Sequence, residues 1–170
     1  GWSQHSDRWK IFRLNNYSHN TLVIDGQLHS VKGSAKVIEF VDQGVASRAV
    51  LDMTTVYPMC SRAIRTGTMD KNGIYTLSDS LEGLKPGTKV RWQMMTRAGA
   101  DTTKKNSVTL IQRDKKLVLT AADPNTQWCV EDAEKPKNEW DTPNKGCRFV
   151  YFEAIAPASG KLEFAVTFTP

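Results

Sequence analysis

A histidine followed by an asparagine, His19-Asn20, stands at the head of the strand-like run "TLVIDG". An imidazole titrates near neutrality, so it can take a proton or, once charged, hold a carboxylate. The neighbouring amide carries both donors and an acceptor, which suits a sugar carboxylate or the orienting of the ring beside it. A second polar cluster lies in "SRAVLDMTTVYPMCSRAIR". There an apolar strand runs into Asp52, Thr54, Thr55 and Tyr57-Pro58, then returns through Arg62 and Arg65. Polar and aromatic side chains gathered where a strand leaves its sheet are common at sites on β-scaffolds. The plainer alternative makes His19 a polar strand end and Tyr57 a sheet-edge cap, with Asp52 in a turn.

Other chemistry is thinly supported. The chain has three histidines, His5, His19 and His29, and a centre built on imidazole ligands would need most of them together. His19 and His29 flank the turn signal Asp25-Gly26, so a hairpin would bring them near each other. P-loop, nucleophile-elbow and dinucleotide fingerprints are absent. No metal and no other cofactor is expected. Of the three cysteines, Cys129 and Cys147 flank a polar stretch, "VEDAEKPKNEWDTPNKG", that reads as one surface loop. A bridge between them would contribute about 3 kcal/mol through chain entropy and would imply an oxidising compartment. Three free thiols is the other reading, and Cys60 is left over in either.

The elements that must position these residues read as strands from end to end. "RWKIFRL", "AKVIEFVD", "ASRAVLDM", "IYTLSDSL", "TKVRWQMMT", "SVTLIQ", "KLVLTAA", "CRFVYFEAI" and "KLEFAVTFT" are separated by turn signals such as Gln43-Gly44, Asn72-Gly73, Pro86-Gly87 and Ser159-Gly160. In the last of them Leu162, Phe164, Val166 and Phe168 share one face, and Lys161, Glu163 and Thr167 the other, the period-2 mark of a half-buried strand. No window keeps a capped 3.6-residue apolar period. The fold class expected is all-β, an antiparallel, jelly-roll-like sandwich of two stacked sheets, with residues 1–170 as a single domain. Its core should include Trp92, Phe149, Phe164, Val166 and Phe168.

At 39% apolar and 24% charged residues the composition is globular rather than disordered. No apolar run of about 18 residues exists, so no membrane-crossing helix is expected. The net charge of +5 favours acidic partners. Neither an RNA-binding aromatic signature nor zinc-finger spacing accompanies it, and no nucleic-acid partner is expected. The opening "GWSQHSDRWK" has neither Met nor an apolar leader. The chain is therefore expected to be a processed protein, or a domain excised from something longer.

Taken in order, "YSHNTLVIDGQ", "RAVLDMTTVYP", "SRAIR", "LSDSL" and "VRWQMMT" resemble the C-terminal β-sandwich region of heparinase II/III-type polysaccharide lyases. The resemblance runs from about Trp9 to Thr96; beyond Ala98 only the strand-rich character is shared. It implies a parent enzyme that joins this sandwich to an N-terminal helical toroid, absent here, and cleaves uronic-acid glycans of heparan type by β-elimination in the cleft between them. On that likeness His19 and Tyr57 are the catalytic residues, and Asn20 and Arg62 the substrate contacts. The partners implied are an acidic polysaccharide and the helical part of the same parent chain, in a bacterial periplasm or outside the cell. Where zinc-containing relatives carry further ligands, this chain has Thr21 and, roughly, Lys36, so no zinc site of that kind is implied. The isolated sandwich would hold half a cleft and be inactive. A non-catalytic carbohydrate-binding or structural module is the alternative, with Trp128 and Trp140 as its sugar-stacking surfaces.

Overall fold

The computed structural model describes residues 6–170; His5 lies outside them. Twelve strands form two antiparallel sheets. The smaller has the order β1 (Leu22–Ile24), β6 (Lys89–Thr96), β11 (Arg148–Ile155) and β10 (Cys129–Asp132). The larger runs β2 (Lys36–Asp42), β3 (Ser47–Asp52), β4 (Arg62–Met69), β5 (Tyr75–Glu82), β12 (Leu162–Thr169), β9 (Lys115–Ala121), β8 (Ser107–Gln112) and β7 (Gly99–Asp101). The all-β sandwich expected from the strand patterns is the fold found.

The core between the sheets is aromatic. Trp92 and Phe152, opposite each other on β6 and β11, stack at 5.5 Å with 5° between their planes. Trp128 meets both edge-on, and Phe164 and Phe168 approach from β12 at 5.7 and 6.4 Å. Val166 and Trp92 are fully buried, while Phe164 and Phe168 pack against the cluster partly covered. Trp128 is 4% exposed and therefore core, not a sugar-stacking face; Trp140 is 63% exposed.

Two expectations fail for identifiable reasons. "RWKIFRL" forms 3₁₀ turns, Asp7–Lys10 and Phe12–Leu14, not a strand. Its apolar residues fall on both alternations, and the backbone N–H of Phe12 is taken by the Asp141 carboxylate (2.9 Å) instead of by a ladder. Phe12 is buried edge-on against Phe149, 6.3 Å away, in a second apolar cluster. The predicted core residue Phe149 thus belongs to this outer layer.

The second failure concerns the polar stretch between Cys129 and Cys147. It opens with β10, whose register on β11 sets Cys129 opposite Tyr151 and Asp132 opposite Arg148. The Ala133 N–H then donates to the Cys147 carbonyl. Cys147 thus lies four positions down the ladder from Cys129, about 13 Å at the usual rise, and a bridge needs Cα atoms within about 7 Å. All three cysteines are free thiols. The disulfide expectation is corrected, and the argument for an oxidising compartment that rested on it falls away.

The large sheet is twice as wide as the small one. Among the described residues nothing stacks on its β2 edge, and all seven residues of that strand are exposed.

Candidate functional site

The site begins with how short β1 is. Its first registered pair is Leu22 with Trp92, so His19 and Asn20 precede the ladder and are held by local turn bonds and by side chains. A 3₁₀ turn, Asn16–Ser18, carries the chain up to His19. Asn15 caps it by accepting from the Tyr17 N–H (3.0 Å). After β1, Asp25 and Gly26 both take positive φ, 51° and 64°, the two-residue turn that the Asp-Gly pair signals. The chain returns to set His29 beside Leu22, whose carbonyl lies 3.2 Å from the His29 Nε2. Asn16, 5% exposed, ties the two arms. Its Nδ2 donates to the Gln27 carbonyl (3.1 Å) and its Oδ1 accepts from the His29 N–H (3.0 Å).

Both imidazoles line one groove of about 510 Å³, together with Trp9, Leu14, Asn15, Leu28, Val31 and Val56. His19 is exposed. Its Nδ1 lies 2.6 Å from the Asn15 carbonyl, which can only accept. Nδ1 is therefore the protonated nitrogen of the neutral ring, and Nε2 keeps the lone pair that a base needs. His29 is half-buried. Burial lowers its pKa, and the charges of Arg65 and His19 act in the same direction, against the bond to Leu22. Among the described residues no three His, Cys, Asp or Glu side chains gather into a metal-holding group.

Tyr57 stands behind this groove, not in it. It is 2% exposed. Its hydroxyl is 2.7 Å from the Thr21 Oγ1, and its ring meets the His29 ring edge-on at 4.8 Å. Burial, above all, pushes the phenol's pKa up. Of the two residues expected to be catalytic, His19 lines the groove and Tyr57 does not. Tyr57 touches His29 and buttresses it from behind.

Arg62, expected as a substrate contact, does not line this groove. It lies exposed on β4, 3.8 Å from Glu82, and strand alternation turns it to the face opposite Arg65. Arg65 is the arginine that reaches the His19-Asn20 segment. It grips the buried Asp79 through Nε (2.7 Å) and Nη2 (3.0 Å), and its Nη1 donates to the Asn20 carbonyl (3.1 Å). Asn20 itself is exposed, with its Oδ1 accepting from the Met95 N–H (2.8 Å). That leaves its NH₂ end as the part that can meet a ligand. Asp52 accepts from the Thr54 N–H in a turn. Gln93, a residue the sequence gives no reason to single out, is 4% exposed and directs its amide at the turn below His19.

No family profile and no curated relative matches the chain. Solved structures do. The heparan sulfate lyase HepC from Pedobacter heparinus superposes with a TM-score of 0.74 at 17% identity, over 98% of this chain and 27% of that one. A structure of heparinase III gives 0.74 at 14% identity, over 99% and 26%. A second heparinase III gives 0.70 at 11%, over 89% and 23%. The chain shares the fold of a piece amounting to about a quarter of each.

Proposed function

Taking that shared fold as the premise, we propose that this chain is the sandwich part of a polysaccharide lyase that cleaves uronic-acid glycans of heparan type by β-elimination. His19 is its contribution to the chemistry, and a helical domain of the same polypeptide supplies the rest of the cleft. The observation that carries the reading is the bond from His19 Nδ1 to the Asn15 carbonyl, which leaves a basic Nε2 in an open groove. In such an elimination a base removes the C5 proton, the electron pair forms the C4–C5 double bond, and the 4-O leaving group departs with a proton. His19 Nε2 fits the first task or, when protonated, the neutralising of the sugar carboxylate; Asn20 contributes the amide beside it. We place the parent protein in a bacterial periplasm or outside the cell, where such a polymer is met. No helix among the described residues is long and apolar enough to cross a membrane.

The test is His19→Ala in a polypeptide that includes the helical domain, following the absorbance of the unsaturated uronate product. A loss of at least about 100-fold in kcat is expected, the lower range for an acid–base group. Folding stability should hardly change, since an exposed side chain fills no core volume. The 170 residues alone should show no turnover. Near-normal turnover in the variant overturns the reading and leaves a carbohydrate-binding module, for which the exposed Trp140 would then be the first surface to probe.

A further inference from the structure

Two adjacent peptide carbonyls, those of His19 and Asn20, are taken by donors from opposite sheets. From β6 of the small sheet, Gln93 Nε2 lies 3.0 Å from the His19 carbonyl, 3.0 Å from that of Tyr17 and 3.4 Å from that of Asn16. From β4 of the large sheet, Arg65 Nη1 donates to the Asn20 carbonyl, its guanidinium held rigid by the Asp79 carboxylate. An NH₂ group has two hydrogens, so three carbonyls around it share them, and the turn from Asn16 to His19 closes on this single nitrogen. The same turn brings the Asn15 carbonyl onto His19 Nδ1.

On β6 strand alternation turns Gln93 away from the core face that carries Trp92. It is buried, and it lines the small cavity of about 280 Å³ between the small sheet and the segment carrying Phe12 and Tyr17. A buried amide costs free energy unless its hydrogen bonds are made, and here every protein acceptor of its N–H groups belongs to the turn that carries His19.

We propose that Gln93 and Arg65 are the positioning residues of His19: pulling on neighbouring carbonyls from the two sheets, they fix the two peptides on either side of Asn20, and with them the direction and tautomer of the imidazole. This rests on the lyase reading for its purpose, but not for its test. The groove histidine is thereby registered to both sheets at once, although it lies outside any strand.

The experiment is long-range ¹H–¹⁵N correlation of the histidine side chains, at a pH where the rings are neutral, in this chain and in Gln93→Met, which keeps the volume and loses the donors. In the wild type the His19 signals should be those of the Nδ1–H tautomer. In Gln93→Met that signature should give way to a mixture, while His29, bonded through Leu22, keeps its own. Gln93→Glu, the same shape with an acceptor turned on three carbonyls, should do so more completely, and it decides the matter if the Met variant does not fold. In the polypeptide with the helical domain, Gln93→Met should lose about 10- to 100-fold in kcat with KM little changed, the scale of a displacement near 1 Å. An unchanged His19 tautomer in the folded variants overturns the proposal whatever the turnover. A lost tautomer alongside normal turnover in His19→Ala sustains the positioning and sinks the lyase reading instead.

Discussion

Tyr57→Phe removes one oxygen, and the structure fixes what that oxygen does. It lies 2.7 Å from the Thr21 Oγ1, with Tyr57 2% and Thr21 8% exposed. The ring stays, so the core volume and the edge contact with His29 are kept and no cavity opens. What remains is a buried threonine hydroxyl deprived of its partner, which costs about 1–3 kcal/mol. For a chain of this size each kcal/mol moves Tm by about 2–4 °C, so Tm should fall by about 2 to 12 °C. Urea unfolding followed by tryptophan fluorescence should show a lower midpoint with an unchanged slope. Thr21→Val should couple with it, the double variant losing less than the sum of the singles by about 0.5 kcal/mol or more. In the polypeptide with the helical domain, turnover per folded molecule should stay within a few-fold of wild type. A thermally silent Tyr57→Phe that abolishes turnover would refute the reasoning, because the hydroxyl would then reach substrate and the groove would be drawn on the wrong side of His29.

Three other outcomes can be checked on the 170 residues. Because the folded His29 binds its proton more weakly than the ordinary value of 6.5, the unfolded chain takes that proton first as pH falls. Its contribution is whole above the ordinary value and is lost between there and its lower folded pKa, so the urea midpoint should drop from about pH 7 to pH 5 and flatten in part in His29→Gln. Asp79→Asn leaves the Arg65 guanidinium largely buried without its anion and should cost roughly 3–5 kcal/mol by denaturant unfolding, whereas Arg62→Ala, at an exposed pair, should cost no more than about 1. Ellman's reagent in denaturant, with no reductant, should count all three thiols. In the native protein Cys60 should react last, since burial pushes its pKa to about 11 and leaves a thiolate fraction of about 10⁻³ at pH 8.

Strands were readable where alternation had one dry and one wet face. β12 and β9 show it plainly, and so does the hairpin turning at Asn72-Gly73. "RWKIFRL" misled because Phe12 buries itself as a single anchor, and no alternation rule separates an anchor from a strand. β10, "CVED", was invisible because its polar residues earn their places through partners far along the chain: Glu131 accepts from Arg91 Nη1 at 2.8 Å. The same distance effect governs the groove. The setting of His19 is local, its ring bonded to Asn15 four residues earlier. That of Tyr57 is not, since its depth depends on Thr21, 36 residues away. Arg65 had a signal that went unused. It and Asp79 lie equally far from Asn72, so the hairpin sets them directly opposite, and such a pair on the apolar face is a buried ion pair in waiting.

The order of the large sheet dictates when it can exist. β12 lies between β5 and β9, so β2 to β5 on one side and β7 to β9 on the other are joined in that sheet only through the last strand to be made. On a ribosome each half can form its hairpins as it emerges, but neither can seal its open edge. Both wait, with Leu77 and Leu119 lacking the Val166 and Phe168 that will cover them. Closure of this sheet therefore waits until β12 has been made, and is slow in the way that distant pairings make it. Synthesis leaves a window in which two unpaired strand edges face whatever else is nearby.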